Sequence, residues 1–244
     1  MRSPAQPRDA ATVVLLRDGA DGVEVYLLER RSTMAFAAGM FVFPGGSVDD
    51  RDADVAIGWA GPGAEEWASR FGCDAKLARA LVCAAVRETF EESAVLLAGP
   101  DADTVVADTT GSGWESDRVA LLDQSLSLAR LLHRRRLVLR ADLLGAWAHW
   151  ITPESEPRRY DTRFFVAALP SGQRTCDVSG EAQSVIWLPP ATATSRVDAG
   201  HMAMMPPTYE TCRELAQLES AEEVVAVAAT RQIRAVLPLS AELP

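Results

Sequence analysis

An α+β fold built on a mixed sheet is what this chain of 244 residues predicts. Three observations lead there. Apolar runs that alternate or end at turn residues cluster before residue 44 and again between 147 and 188. Stripes with helical period lie between those runs and after them. Strands and helices do not alternate regularly, so a repeated βαβ unit is not predicted.

Each element has its own signal. Residues 1–9 contain Pro4 and Pro7 and predict a disordered N-terminus, which leaves 10–244 as a single domain. Residues 11–17 are β-rich and stop at Asp18-Gly19-Ala20-Asp21-Gly22, and 23–29 alternate, so the two form a hairpin. Met40-Phe41-Val42-Phe43 is a short strand stopped by Pro44-Gly45-Gly46, and an acidic, turn-rich stretch over 47–63 follows it. A short helix around Trp67 covers 64–72, and a longer one starts after the N-cap Asp74. Residues 99–113 read as a loop. Val119, Leu122, Leu126, Ala129 and Leu132 form one stripe, which predicts a continuous helix over 115–133 within a helical elaboration at 115–135. The run Arg134-Arg135-Arg136 that follows suits a solvated helix end better than a phosphate site. Strands are predicted at 147–152, 163–169 and 185–188, the last closed by Pro189-Pro190, and C-terminal helices at 208–218 and 221–235.

Composition narrows the class. Hydrophobic residues make up 48% and charged residues 24% of the chain, which is ordinary for a globular protein. A net charge of −10 argues against general nucleic-acid binding, which requires a basic surface. No apolar stretch approaches a membrane span, and no secretory leader is evident, so the expectation is a cytoplasmic protein with no membrane partner. Cys73, Cys83, Cys176 and Cys212 have no paired spacing and read as small hydrophobes. A homodimer is possible through the apolar C-terminal helices and the helix at 115–133.

Arg87-Glu88-Thr89-Phe90-Glu91-Glu92 carries the chemistry. The i, i+3 and i, i+4 spacings place Glu88, Glu91 and Glu92 on one side of a helix. Stacked carboxylates repel unless a cation neutralises them, and oxygen donors select Mg²⁺, Mn²⁺ or Ca²⁺ over zinc or copper.

Phe43-Pro44-Gly45-Gly46 followed by Arg-Glu-Thr-Phe-Glu-Glu-Ser-Ala-Val resembles the signature of the Nudix hydrolases. Arg87, Glu88, Glu91, Glu92 and Gly46 match it position by position. The resemblance implies the Nudix fold, an α/β/α sandwich around a mixed sheet, here with helical insertions. It also implies metal-dependent hydrolysis of a diphosphate with Mg²⁺ or Mn²⁺ held by Glu88, Glu91, Glu92 and the Gly46 carbonyl. Glu181, in Ser179-Gly180-Glu181, is placed like the family's additional acid and is a candidate base alongside Glu92. Arg87 supports the site, either by pairing with Glu91 or by clamping the loop after Gly46.

Three departures stand out. Asp52 replaces the usual Glu that pairs with the arginine, and Ala94 replaces a glycine at the helix end, where φ > 0 is wanted. Residues 53–86 separate Asp52 from Arg87 where the family has seven, so an insertion falls at about 53–79. Such an insertion resembles the coenzyme A and acyl-coenzyme A diphosphatase branch. So do Trp150-Ile151-Thr152-Pro153-Glu154 and Arg158-Arg159-Tyr160-Asp161-Thr162-Arg163-Phe164-Phe165.

The implied substrate is coenzyme A or an acyl-coenzyme A, cleaved to 3′,5′-ADP and a 4′-phosphopantetheine compound. The alternatives are a Nudix hydrolase of ADP-ribose, NADH or another nucleotide, and a Nudix-fold ligand sensor without turnover. Arg158 and Arg159 are candidates for substrate phosphate, with pairing to Glu154 and Glu156 as the other reading. Tyr160 is a candidate for stacking on adenine or for packing. Arg30 ends the second strand near the expected cleft. His149 reads as a hydrogen-bonded histidine rather than a catalytic one.

Overall fold

The computed structural model describes residues 5–32, 37–176 and 182–238. Its strands are β1 (Arg8–Gly19), β2 (Gly22–Arg30), β3 (Phe41–Val42), β4 (Gly45–Ser47), β5 (Trp59–Ala60), β6 (Ala98–Gly99), β7 (Val138–Arg140), β8 (Gly145–Ile151), β9 (Tyr160–Ala168), β10 (Ala182–Leu188) and β11 (Ala235–Val236). The helices are α1 (Ala64–Phe71), α2 (Ala75–Ser93), α3 (Ser112–Leu122), α4 (Leu128–Arg135), α5 (Pro190–Asp198), α6 (Pro206–Leu215) and α7 (Ala221–Thr230). A 3-10 turn spans Asp50–Ala53.

The main sheet runs β10-β2-β1-β9-β8-β11 and is mixed: β1 is antiparallel to β2 and parallel to β9. Between the β1 and β2 ends, β4 pairs with β1 and β3 with β2. The other sheet, β5-β7-β6, is small. Side chains of β1 alternate across the sheet. Ala11, Val13 and Leu15 join the core containing α1 and α2. Val14 and Leu16 join the core containing Ala193, Cys212, Leu215, Val224 and Ala228 from α5, α6 and α7. Helices therefore cover both faces, which is the expected sandwich.

The insertion is folded and adds to the core. Trp67 and Phe71 of α1 pack against Phe165 of β9, with ring centroids 5.5 and 5.1 Å away. α1 ends at Gly72 in the left-handed region, and Asp74 then caps α2 by accepting from Leu77 N at 2.8 Å. The expected N-cap is the observed one.

The structure corrects several expectations. β1 already begins at Arg8, within the stretch predicted to be disordered, and the Ala5 carbonyl accepts from Arg159 Nη1 at 2.8 Å. The helix predicted over 115–133 is two helices, broken at Gln124 (φ 63°), and Ser127 caps the second. The break shifts the buried stripe to Leu121, Leu128, Leu131 and Leu132, leaving Val119 and Leu122 exposed. Pro190 starts α5 instead of only closing β10, because proline suits a first helical turn. The last helix stops at Thr230, and Ala235–Val236 pair with β8. None of the described helices is long and apolar enough to cross a membrane.

Candidate active site

Two consecutive glycines bring the loop onto α2. Gly45 and Gly46 pair with Thr12 and Ala11 of β1 while their other side faces the end of α2. Gly45 N donates to Glu92 Oε2 at 2.8 Å. A Cβ on Gly46 would come within 2.7 Å of Glu88 Cδ, and one on Gly45 within 2.6 Å of Ala11 O. Only glycine permits this approach of backbone and carboxylate. Gly46→Ala is therefore expected to displace Glu88 and weaken divalent-ion binding at least tenfold with little change in fold. Calorimetric titration with Mn²⁺ and circular dichroism check it.

Arg87 holds the constellation together. Its Nε and Nη2 form a fork on Asp52, at 3.0 and 2.8 Å. Nη1 donates to Glu88 Oε1 at 2.7 Å and Glu91 Oε2 at 3.2 Å, and Nη2 to the Ser47 carbonyl at 3.0 Å. Asp52 is 2% exposed and takes the place of the family's glutamate. The 3-10 turn positions it: Asp49 N donates to Asp52 Oδ2, and Asp49 accepts from Arg51 N. Both anticipated roles of Arg87, pairing with Glu91 and clamping the loop after Gly46, are present together.

Burial and mutual repulsion set the electrostatics of the cluster. Burial and the Glu88 charge push the Glu91 carboxyl up to about 7, although Arg87 pulls it down. Burial opposes the Arg87 charge, but Asp52, Glu88 and Glu91 hold the guanidinium protonated above the ordinary arginine range. Among the described residues no three carboxylate, imidazole or thiol groups already converge as a cage. Arg87 Nη1 reaches both Glu88 and Glu91, while Glu92 reaches across to Gly45. The donor set is nevertheless one that a hard divalent ion fits: the Glu88 carboxylate packs on the Gly46 backbone, Glu92 accepts from Gly45 N, and Arg87 bonds both Glu88 and Glu91.

The other predicted residues divide. Arg30 ends β2, pairs with Ala182 of β10, and lies at the sheet end where β3 and β4 enter. Glu181, directly before Ala182, lies outside the described residues. Arg158 is exposed in the β8–β9 turn. Arg159 is buried and donates to the Thr152 and Ala5 carbonyls, so its fork ties the hairpin to the N-terminal segment instead of facing open solvent. Tyr160 begins β9 and its backbone bonds Thr152. Arg163 bonds Asp9 at 2.7 Å and Asp161 at 2.9 Å, and His149 contacts Asp161.

One contributor was missed. Arg118 of α3 is buried and donates to the Glu91 carbonyl at 2.9 Å. Nothing local in the sequence connects residues 118 and 91. Ala94 itself takes the left-handed conformation at φ 62°, so the helix end is not shifted by the loss of glycine.

Comparison with known proteins shows the family. Residues 64–214, more than half of the chain, match the model of the NUDT19 Nudix domain. The chain belongs to the NUDT19 Nudix domain family. It is 29% identical over 263 residues to the acyl-coenzyme A diphosphatase NUDT19 of Gallus gallus, covering 84% of this chain and 67% of that one. It is 27% identical over 217 residues to the putative nudix hydrolase 7 of Caenorhabditis elegans, covering 87% of this chain and 61% of that protein. The chain thus spans about three fifths to two thirds of these relatives' lengths. A crystal structure of a Nudix hydrolase from Alicyclobacillus acidocaldarius superposes with a TM-score of 0.78 at 27% identity, covering 94% of this chain and 99% of that one. Membership in this family agrees with the resemblance carried by Gly46 and Arg87–Glu92.

Proposed function

We propose that the chain hydrolyses the diphosphate of coenzyme A or an acyl-coenzyme A in a divalent-metal-dependent reaction. The interlock of Gly45–Gly46 with Glu88 and Glu92, around the Arg87–Asp52 fork, carries this reading. It concentrates hard oxygen donors, and burial together with the Glu88 charge raises the Glu91 carboxyl. The activity that the vertebrate relatives are named for, acyl-coenzyme A diphosphatase, supports the substrate choice at 26–29% identity.

Glu88, Glu91, Glu92 and the Gly46 carbonyl would hold Mg²⁺ or Mn²⁺. When bound, the ion neutralises phosphoryl oxygens and acidifies attacking water. Arg87 fixes the Glu88 and Glu91 carboxylates in place, and Asp52 fixes Arg87. A water oxygen attacks one phosphorus of the diphosphate, the bridging P–O bond breaks, and 3′,5′-ADP and a 4′-phosphopantetheine compound leave. Glu92 or Glu181 accepts the water's proton. Arg30 and Arg158 are proposed to meet substrate phosphate. The buried bonds of Arg159 favour a supporting role for that residue.

Product analysis tests the reading. With Mg²⁺, coenzyme A should give 3′,5′-ADP, and EDTA should abolish it. Cleavage of ADP-ribose or NADH with coenzyme A untouched would move the assignment to another Nudix substrate.

A further inference from the structure

The end of α2 carries Ala94 where the Nudix pattern has a glycine, and Ala94 sits in the left-handed region at φ 62° and ψ 10°. A Cβ disfavours that conformation, so contacts from outside the helix have to offset it. The helix supplies one bond to this turn, from Ala94 N to the Phe90 carbonyl at 2.9 Å. Val95 N, which a continuing helix would give to the Glu91 carbonyl, bonds Ser93 Oγ at 3.1 Å instead. Three distant segments then take carbonyls of the turn. Arg118 Nη1 of α3 donates to the Glu91 carbonyl at 2.9 Å. Cys176 N donates to the Ser93 carbonyl at 3.1 Å, and Thr109 Oγ1 to the Ala94 carbonyl at 2.7 Å. Of these three donors, Arg118 is the one that lands on a residue of the carboxylate cluster and the one that brings a charge.

Arg118 is itself held in place. It is 6% exposed, and its Nε and Nη2 form a fork on Glu115 at 2.8 and 2.6 Å. The helix that carries it is fixed at three points. Trp114 meets Phe90 of α2 edge to face, with ring centroids 6.1 Å apart. Asp117 accepts from Arg134 and Arg135 of α4. Beyond the end of α3, the Gln124 carbonyl accepts from Arg51, the neighbour of Asp52, at 2.9 Å. A cation at a helix C-terminus also complements the macrodipole. The bond from Arg118 is to the Glu91 main chain, so its effect on the carboxylates passes through the backbone.

We propose that Arg118 is a positioning residue: by holding the Glu91 carbonyl it keeps the Ala94 turn left-handed and fixes the angle at which Glu91 and Glu92 take up a divalent ion. The inference rests on the divalent-metal reading above. It gives the α3–α4 elaboration a task at the site, because the arginine supplies from outside what a glycine would supply within the turn. The two positions are then coupled: the arginine matters most while residue 94 is alanine.

Calorimetric titration of the full chain with Mn²⁺ tests it without turnover. Arg118→Met removes the donor and keeps an apolar stem, and it leaves Glu115, whose side chain is 54% exposed, in solvent. It is expected to raise the Kd for Mn²⁺ about tenfold, and Arg118→Lys, with a single donor group, about threefold. Ala94→Gly alone should change Kd by less than about twofold, and in that background Arg118→Met should cost about threefold or less. An arginine that only adds stability would cost the same in both backgrounds, and that result, or an unchanged Kd in Arg118→Met, would overturn the inference. If Arg118→Met does not fold, Arg118→Lys in the two backgrounds carries the same comparison. If wild type binds no Mn²⁺, the metal reading fails, and hydrogen exchange decides what Arg118 does. Arg118→Met should then speed exchange of the Ala94 amide about tenfold, and adding Ala94→Gly should slow it again. Exchange that Arg118→Met leaves unchanged would reject the positioning role.

Discussion

Glu91→Gln is expected to lower kcat by about 10²–10³-fold with saturating Mg²⁺ while making the metal-free protein more stable above pH 7. The two effects have one cause. Glu91 is 7% exposed, lies against Glu88, and has its carboxyl pushed from 4.5 up to about 7. A raised carboxyl pKa means the folded state holds its proton more tightly than the unfolded state does. That stabilisation is full below the unfolded value near 4.5 and is lost as pH rises through about 7. The metal-free wild type should therefore lose about 3 kcal/mol between those limits. A neutral glutamine keeps the shape and escapes the loss. Urea unfolding in EDTA at pH 5 and pH 8 measures it: the pH difference should shrink in the variant, and Mg²⁺ should restore the wild type at pH 8 but help the variant much less. Glu92→Gln should cost similar activity. Retention of full metal-dependent turnover by either variant would remove these carboxylates from the mechanism.

Much of this site was legible because its signals are local. Glu88, Glu91 and Glu92 declare themselves through helical spacing, and Gly45–Gly46 through the loss of side chains where a backbone must approach. Asp74 as a cap and Ala94 at positive φ follow from the chemistry of helix ends, which acts over a few residues. What was not legible depends on packing at a distance. Arg118 reaches the Glu91 carbonyl across 27 positions, and no periodicity encodes that. Arg159 follows a proline and precedes a strand, so it reads like a ligand arginine. Only the tertiary positions of Thr152 and Ala5 show what its donors bond. The helix over 115–133 failed for a different reason. An apolar stripe continues in register through Leu122 and Leu126, but Asp123–Ser127 offers turn and cap side chains that compete with the helix, and Ser127 restarts it. The short strands β5, β6 and β7 have two or three residues each, too few for an alternating pattern. Long, doubly buried β1 was visible because its apolar run is needed on both faces.

Asp52→Ala should destabilise the protein by about 3–5 kcal/mol, and Arg87→Met by a comparable amount, for opposite electrostatic reasons. In Asp52→Ala the Arg87 guanidinium loses both bonds of its fork and keeps only Ser47 O, Glu88 and Glu91. It is then pulled toward the two glutamates, which weakens their hold on a cation as well. In Arg87→Met three acids, Asp52, Glu88 and Glu91, lose their shared counter-charge, each at most 9% exposed. The remedy open to that variant is protonation, so its loss should be larger at pH 8 than at pH 5. A divalent ion should recover part of the Glu88 and Glu91 share but not that of Asp52, which Arg87 holds on the side of the 3-10 turn. Arg87→Lys should rescue poorly, because one ammonium cannot reproduce a fork on Asp52 together with bonds to Glu88 and Glu91. Asp52→Glu is the informative control: the longer carboxylate is the one the family ordinarily carries, and it can keep a fork if the 3-10 turn shifts. Urea midpoints for the four variants, each with and without Mn²⁺, separate the two causes. An unfolding free energy within about 0.5 kcal/mol of wild type for Asp52→Ala would show that the fork contributes little to folding. The ordering of the carboxylates would then have to come from α2 and the Gly45–Gly46 loop alone.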